Sequence, residues 1–295
     1  MPFLPAPIKP EKWGHSQNWP CVTALVDHAA GRKAVAIKSP ASRDTDDYGW
    51  SGTRTFDDAC QIARSGWREG SEMAMKYSGM IWSRIGKLVF RPQVRHYEEG
   101  FEWDMDRVLA RDPESALDYH NPPSKRLKRG TSKNVVKIYV TVDAYYGATA
   151  EIMKRRGAAI GALVNGLEQA GRRVELIATC ATGRGQKLSH EIMVKSAGAK
   201  PNLPALCYMI GHPSVLRRML FAVWEGEGYR PSEPGYRYFH GSYGAPAEHP
   251  CPPDADIVIG VAEYSSPAWK NETNCEKWVL EKLKEQGVII TGRVE

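Results

Sequence analysis

Asp143 is the residue in this sequence that is best placed to take part in chemistry. It directly follows a β-branched run, Val135–Val142, and the amphipathic helical pattern of 149–170 begins a few residues later. In open α/β sheets, ligands bind beyond the carboxyl ends of the strands. We therefore expect ligand or partner contacts around Asp143.

A divalent cation such as Mg²⁺ or Mn²⁺ is one ligand that a carboxylate at this position could hold. The residues that follow, Ala144-Tyr145-Tyr146-Gly147, supply neither compact hydroxyl ligands nor the glycine pattern of a phosphate loop. We therefore predict no cofactor, and we keep a divalent-cation-dependent binder or enzyme centred on Asp143 as an alternative.

Nucleophilic catalysis would need a Cys or Ser close to a His and an orienting acid. Cys180 follows one predicted strand, His190 begins the next, and Asp143 ends a neighbouring one, so the three could converge. No nucleophile-elbow sequence accompanies them, and a small buried cysteine is a common core residue. The sequence thus favours binding over catalysis and assigns no catalytic residue.

Aromatic side chains cluster in the segments predicted to lie near Asp143. A loop rich in Gly, Pro and Tyr spans residues 226–253 and is too long for an ordinary connection. Tyrosines are favoured at protein interfaces. We predict a non-enzymatic interaction protein whose partner-binding residues are Asp143, Tyr145, Tyr146, Tyr236, Tyr238, Phe239 and Tyr243.

Nucleic-acid binding is the alternative that the charge distribution suggests. The net charge is +6. Residues 119–142 contain six Lys or Arg residues and no Asp or Glu. Such a run is commonly a solvated linker, but it could also hold phosphates by counterion release. The residues of this alternative site are Lys125, Arg126, Lys128, Arg129, Lys133, Lys137, Arg155 and Arg156.

The order of the strands and helices that carry these residues predicts an α/β fold. Strands at 135–142, 173–179, 190–195 and 257–261 alternate with helices, which indicates an open, mostly parallel sheet with helices on both faces. The connection between the second and third strands is too short for a parallel crossover, so they must pair antiparallel, with the third at a sheet edge.

Three regions follow from the composition of the chain. We predict an amino-terminal α+β region at 1–120, a basic linker at 121–134 and the α/β domain at 135–295. In the first region, Thr55 and Asp58 form a capping-box pattern ahead of a helix that Gly66 ends.

The order of elements in 135–295 resembles the von Willebrand factor A-type fold, a Rossmann-like sheet. In metal-binding members of that family the first strand ends in Asp-x-Ser-x-Ser. Here Asp143 matches the Asp, whereas Tyr145 and Gly147 stand at the serine positions. The resemblance therefore implies the fold and a degenerate metal site.

Three further phrases resemble proteins encoded by tailed bacteriophages and prophages. They are Trp50-Ser51-Gly52-Thr53, Arg156-Gly157-Ala158-Ala159-Ile160 and His212-Pro213-Ser214-Val215. This resemblance implies a viral or mobile-element origin and no particular chemistry.

The composition is that of a globular protein, with nine Trp and six widely spaced Cys that form no zinc-binding pattern. No run of about 18 apolar residues is present, so we expect no membrane span. The expected location is the cytoplasm, that of the host cell if the protein is phage-encoded. The sequence does not predict an oligomeric state.

Overall fold

The computed structural model describes most of the chain, and the account below concerns the described residues. They are 15–32, 48–89, 93–97, 102–103, 116–120, 135–145, 147–182, 188–226, 246, 253–263 and 265–288.

Eight strands and eight α-helices lie in the described residues. The strands are β1 His15–Trp19, β2 Gln93–Tyr97, β3 Glu102–Trp103, β4 Ala116–His120, β5 Val135–Thr141, β6 Arg173–Thr182, β7 Leu188–Lys195 and β8 Ile257–Ile259. The helices are α1 Val22–Arg32, α2 Tyr48–Ser51, α3 Phe56–Ser65, α4 Arg68–Val89, α5 Ala150–Gln169, α6 Leu203–Gly211, α7 Phe221–Gly226 and α8 Glu272–Glu285. A π-helical turn (Val215–Leu220) precedes α7, and a 3₁₀ turn (Pro267–Trp269) precedes α8.

A five-stranded sheet in the order β1-β7-β6-β5-β8 confirms the predicted α/β fold. Its pairs are parallel except β6 with β7, which is antiparallel as predicted. The expectation that the strand at 190–195 lies at a sheet edge is wrong, because β1 pairs with the outer side of β7. β1 and β7 are more than 160 residues apart in the sequence, and no local sequence pattern indicates that they pair.

Strand β5, which lies between β6 and β8, has two different faces. Val136, Ile138 and Val140 are buried, whereas the residues between them are half-buried. This alternation is that of a strand with one face in the core. Because Lys137 and Tyr139 on the other face are only half-buried, helix cover of that face stays a prediction.

Local sequence signals explain where the helices begin and end. The predicted capping box at α3 is confirmed: the Asp58 N–H donates to Thr55 Oγ1 at 2.9 Å, and the Thr55 N–H donates to the Asp58 carboxylate at 3.0 Å. Gly66 ends the helix with a φ of 84°, as predicted. Thr149 caps the predicted long helix α5 by accepting a hydrogen bond from the Ile152 N–H.

Helices α5 and α6 cross at two glycines. A Cβ atom on Gly157 would lie 2.2 Å from the Cα of Gly211, so this contact requires glycine. Helix α6 ends there because Pro213 cannot continue its hydrogen bonding, which confirms the predicted break at residues 211–213.

Contacts divide the chain into two compact units. One comprises Met1–Ile81 with Asn134–Glu295, and the other comprises Trp82–Lys133. The second unit contains a small antiparallel sheet in the order β2-β4-β3. The three-part division drawn from the sequence stays a prediction.

None of the helices in the described part of the chain has the length and apolar content that crossing a bilayer requires.

Candidate functional site

Asp143 lies where the sequence predicts it, directly beyond the carboxyl end of β5 and between β6 and β8. The preceding residue, Val142, donates its N–H to the Thr179 carbonyl at 2.8 Å. The Asp143 carbonyl accepts a hydrogen bond from the Ala262 N–H at 3.0 Å. The backbone at Val142 and Asp143 therefore connects to β6 on one side and to the segment after β8 on the other.

The carboxylate of Asp143 is enclosed, with only 1% of the residue exposed. It accepts hydrogen bonds from the Cys180 thiol at 2.7 Å and from the Ala181 N–H at 2.8 Å. Burial raises the pKa of this carboxyl to about 7, against the opposing effects of Cys180, Ala181 and Arg156. Because the carboxylate lies beneath the surface, any contact surface here is built by other side chains.

Arg156 brings a positive charge to the same place from α5. The residue is 2% exposed. Its Nη2 donates to the carbonyls of Thr141 at 2.7 Å and Gly260 at 2.6 Å, with a longer contact of 3.5 Å to Ile259. Burial lowers the pKa of its guanidinium to about 10, with Asp143 opposing, so it stays charged at neutral pH. We name Asp143, Arg156 and Cys180 the strand-end cluster.

The three residues considered for a catalytic triad lie on adjoining strands. Cys180 is directly opposite His190 in the antiparallel pair, and the Trp19 indole donates to His190 Nδ1 at 3.2 Å. The thiol, however, donates its hydrogen bond to Asp143. Burial and the nearby carboxyl raise the pKa of Cys180 well above its usual value. A thiol held protonated is a poor nucleophile, so the geometry does not favour cysteine catalysis.

The surroundings of Asp143 do not fit a divalent cation. The groups facing its carboxylate are hydrogen-bond donors, a thiol and a backbone N–H, and Arg156 already supplies positive charge. A hard cation needs several oxygen lone pairs instead. Within the described residues, no three His, Cys, Asp or Glu side chains gather as metal ligands would.

Tyr145 is an exposed aromatic residue of this region, at 47% relative exposure. Its N–H donates to the Ala262 carbonyl at 3.1 Å, and its own carbonyl accepts from the Ala148 N–H at 2.8 Å. The Ala148 carbonyl in turn accepts from Arg217 Nη2 at 2.7 Å. The turn carrying Tyr145 is therefore anchored on both sides. The other predicted aromatic contacts, Tyr146, Tyr236, Tyr238, Phe239 and Tyr243, lie outside the described residues.

The described members of the alternative nucleic-acid site are engaged within the protein. Lys137 forms ion pairs with Asp254 and Glu175. Arg155 pairs with Glu151 and donates to the Lys270 carbonyl at 2.6 Å. Arg156 is buried in the strand-end cluster, so it is not a surface phosphate clamp. The remaining residues, Lys125, Arg126, Lys128, Arg129 and Lys133, lie outside the described part of the chain.

Two buried arginines that the sequence analysis did not assign organise the same region. Arg217 lies 5.0 Å from the Trp50 ring and donates to the Trp50 carbonyl at 2.6 Å. Arg218 donates to the carbonyls of Thr53 and Arg54, each at 2.9 Å. In the sequence, this arginine pair stands inside the otherwise apolar run 215–223, and that position could have indicated that both are buried. The burial of Arg156 was likewise signalled by Met153 and Ile160, which share its helix face.

Comparison with known proteins places the chain in a family. Neither a curated protein nor a solved structure matches it. A family described as "Domain of unknown function (DUF7192)" matches residues 16–290, nearly the whole chain, and includes the sheet and the strand-end cluster. The chain therefore belongs to the DUF7192 family.

Proposed function

We propose that this protein is a non-enzymatic interaction protein that binds a protein partner through the loops following β5 and β8. The observation that carries the proposal is Tyr145, an exposed aromatic side chain on a turn anchored by Ala262 and Arg217. A tyrosine side chain has few rotatable bonds, so it loses little conformational entropy on binding, and it offers both apolar area and a hydroxyl.

The chemistry beneath this surface supports binding over catalysis. Asp143 and Arg156 form their hydrogen bonds with other parts of the protein, and Cys180 remains a protonated thiol. Reactive groups in a catalytic site must instead reach a substrate. Polar residues at these strand ends thus serve to hold the loops in position.

Nucleic-acid binding is a weaker proposal, since Lys137, Arg155 and Arg156 are engaged in internal contacts. A cation-dependent role for Asp143 is weaker still, because hydrogen-bond donors surround its carboxylate.

Three finer proposals concern the type of fold, the origin of the protein and its location. The strand order β7-β6-β5-β8, with one antiparallel pair, supports a von Willebrand A-like domain. The phrases around Trp50, Arg156 and His212 support a phage or prophage origin. The wide spacing of the cysteines supports action in the cytoplasm, within the host cell for a phage protein.

Site-specific photo-crosslinking tests the proposed surface. A photoreactive phenylalanine analogue replaces Tyr145 in the full chain, which is irradiated in lysate of the cells that produce it naturally. The matched control places the same analogue at Met75, which has a similar exposure of 52%. We expect a protein that crosslinks from position 145 and not from position 75.

The captured partner is then purified and its affinity is measured. Tyr145→Ala should weaken binding by at least about tenfold, the loss typical of an interface hot spot, whereas Met75→Ala should leave it unchanged. Equal crosslinking from both positions, or equal affinity of wild type and Tyr145→Ala, would contradict the proposal.

A further inference from the structure

Strand β8 forms one edge of the five-stranded sheet in the described residues, where it pairs with β5 alone. The chain runs alongside β5 beyond both ends of this short strand. Before it, the Asp256 N–H donates to the Lys137 carbonyl at 2.9 Å. After it, the Ala262 N–H donates to the Asp143 carbonyl at 3.0 Å. At about 3.3 Å per residue, the edge is about 20 Å long.

The outer side of this edge carries unpaired backbone groups. Successive residues of a strand direct their backbone groups to opposite sides, and those of Asp256 and Ala262 point toward β5. The N–H groups of Ile257, Ile259 and Val261 must therefore point away from β5. No residue in the described part of the chain accepts a hydrogen bond from these three groups.

The side chain of Val258 makes the same edge apolar. It is 53% exposed and lies opposite Tyr139 on β5, which in turn lies opposite Ile177 on β6. Sheets commonly protect an edge with charged residues, proline or a bulge. An exposed valine instead offers a contact to a further strand, and the half-buried Tyr139 continues the apolar row beside it.

The open edge adjoins the surface proposed for partner binding. The Ala262 carbonyl accepts the Tyr145 N–H at 3.1 Å, so the turn carrying Tyr145 lies at the carboxyl end of the edge. Val258 and Gly260, which are both exposed, lie along the strand that leads to it. A partner bound along the edge would therefore also reach Tyr145.

We propose that the protein partner binds by adding an extended segment to the outer edge of β8, as a sixth strand of the sheet. Its backbone pairs with Ile257, Ile259 and Val261, and one of its β-branched or aromatic side chains lies beside Val258. Unpaired backbone groups select an extended chain, because a helix has already paired its own. This inference rests on the function proposed above and deepens it, since it names the form in which the partner binds.

Hydrogen exchange of the free full-length protein tests whether the edge is open. Exchange of individual amides is measured by NMR. The Ile257 and Ile259 amides should exchange at least about a hundredfold faster than the Val258 amide, which points toward β5. Slow exchange of all three in the monomer would show that the chain covers its own edge. Protection that rises with protein concentration would show that a second copy covers it, and either result would overturn the proposal.

Peptide display tests the added strand without any cellular partner. Random peptides of about twelve residues are selected on the full chain, and the Kd of the strongest binder is measured. Binding should protect the Ile257 and Ile259 amides and leave the Val258 amide unchanged. N-methylation at alternate positions of the peptide should weaken binding, because only alternate N–H groups of an added strand face the edge.

A matched pair of surface variants locates the peptide on the protein. Val258→Lys should raise the Kd at least about tenfold, whereas Met75→Lys, at a position of similar exposure (52%), should leave it unchanged. A library that yields no binder, or a peptide that binds both variants equally, would contradict the added strand. Crosslinking from position 145 uses neither variant, so its success beside a failed peptide test would leave the proposed function standing and remove only the added strand.

Discussion

At the scale of single residues, buried arginines hold the strand-end region together by bonding to backbone carbonyls. Arg156 joins the end of β5 to the segment after β8, and Arg217 joins Trp50 to the turn at Ala148. Arg218 holds the backbone at Thr53 and Arg54. The planar guanidinium suits this role because it presents several donors in a rigid arrangement. Loops carrying the candidate surface are thus fixed from within.

His212 is a buried histidine that should make the stability of the fold depend on pH. The residue is 3% exposed, its Nδ1 is hydrogen-bonded with Ser214 Oγ at 2.8 Å, and its ring stacks on Tyr208. Burial, with a smaller effect of Lys154, lowers the pKa of His212 from 6.5 to about 3. Below about pH 6.5, His212 therefore binds a proton in the unfolded chain, whereas in the folded protein it stays neutral until the pH approaches 3. This contribution to stability is complete above pH 6.5 and is lost as the pH falls toward 3.

Urea denaturation at several pH values measures the effect. Relative to His212→Asn, which retains an acceptor near Nδ1, the wild type should lose up to about 1.4 kcal/mol of unfolding free energy per pH unit below pH 6.5. Profiles that run parallel for the two proteins would contradict the assignment of a neutral, buried imidazole.

At the scale of elements, the helices are well predicted where local signals are strong. The capping box of α3 and the span of α5 follow from residues adjacent in sequence, and both are confirmed. Glycines in α5 also signal a close neighbour. Only the tertiary structure identifies Gly211 on α6 as the group that approaches Gly157.

The crossing of α5 and α6 should not tolerate a side chain at Gly157. Gly157→Ala introduces a Cβ 2.2 Å from a backbone atom, so α5 and α6 must separate. We expect a loss of about 1–3 kcal/mol in unfolding free energy, the usual cost of overpacking. Gly79→Ala in α4 is the matched control, because its Cβ would meet nothing within 4 Å. It should be neutral or stabilising by up to about 1 kcal/mol. Equal stabilities of the two variants in chemical denaturation would show that the crossing tolerates a side chain.

At the scale of the whole molecule, the amino-terminal segment completes the sheet and core of the larger unit. Strand β1 pairs with β7, and its Trp19 is buried near His190. Tyr208 on α6 donates its hydroxyl hydrogen to the Ala59 carbonyl of α3 at 3.1 Å. These contacts join residues that are more than a hundred positions apart in the chain.

A fragment experiment tests this dependence. Residues 134–295 produced alone lack β1 and the buried side chains of α1 and α3, so apolar surface would be exposed. We expect the fragment to show no cooperative thermal transition by near-ultraviolet circular dichroism, and co-production with residues 1–133 to restore it. A fragment that melts cooperatively at the temperature of the full chain would instead support an independent domain at 135–295.

The sequence by itself determined the α/β class, the antiparallel pair and the position of Asp143 at the carboxyl end of β5. These features depend on side-chain periodicity and short connections, which act between residues close in the chain. Only the tertiary structure decided that β1 pairs with β7, that Arg156 lies near Asp143 and that the Asp143 carboxylate is buried. Each of these depends on contacts between distant segments, and burial rather than residue type decides how a carboxylate titrates.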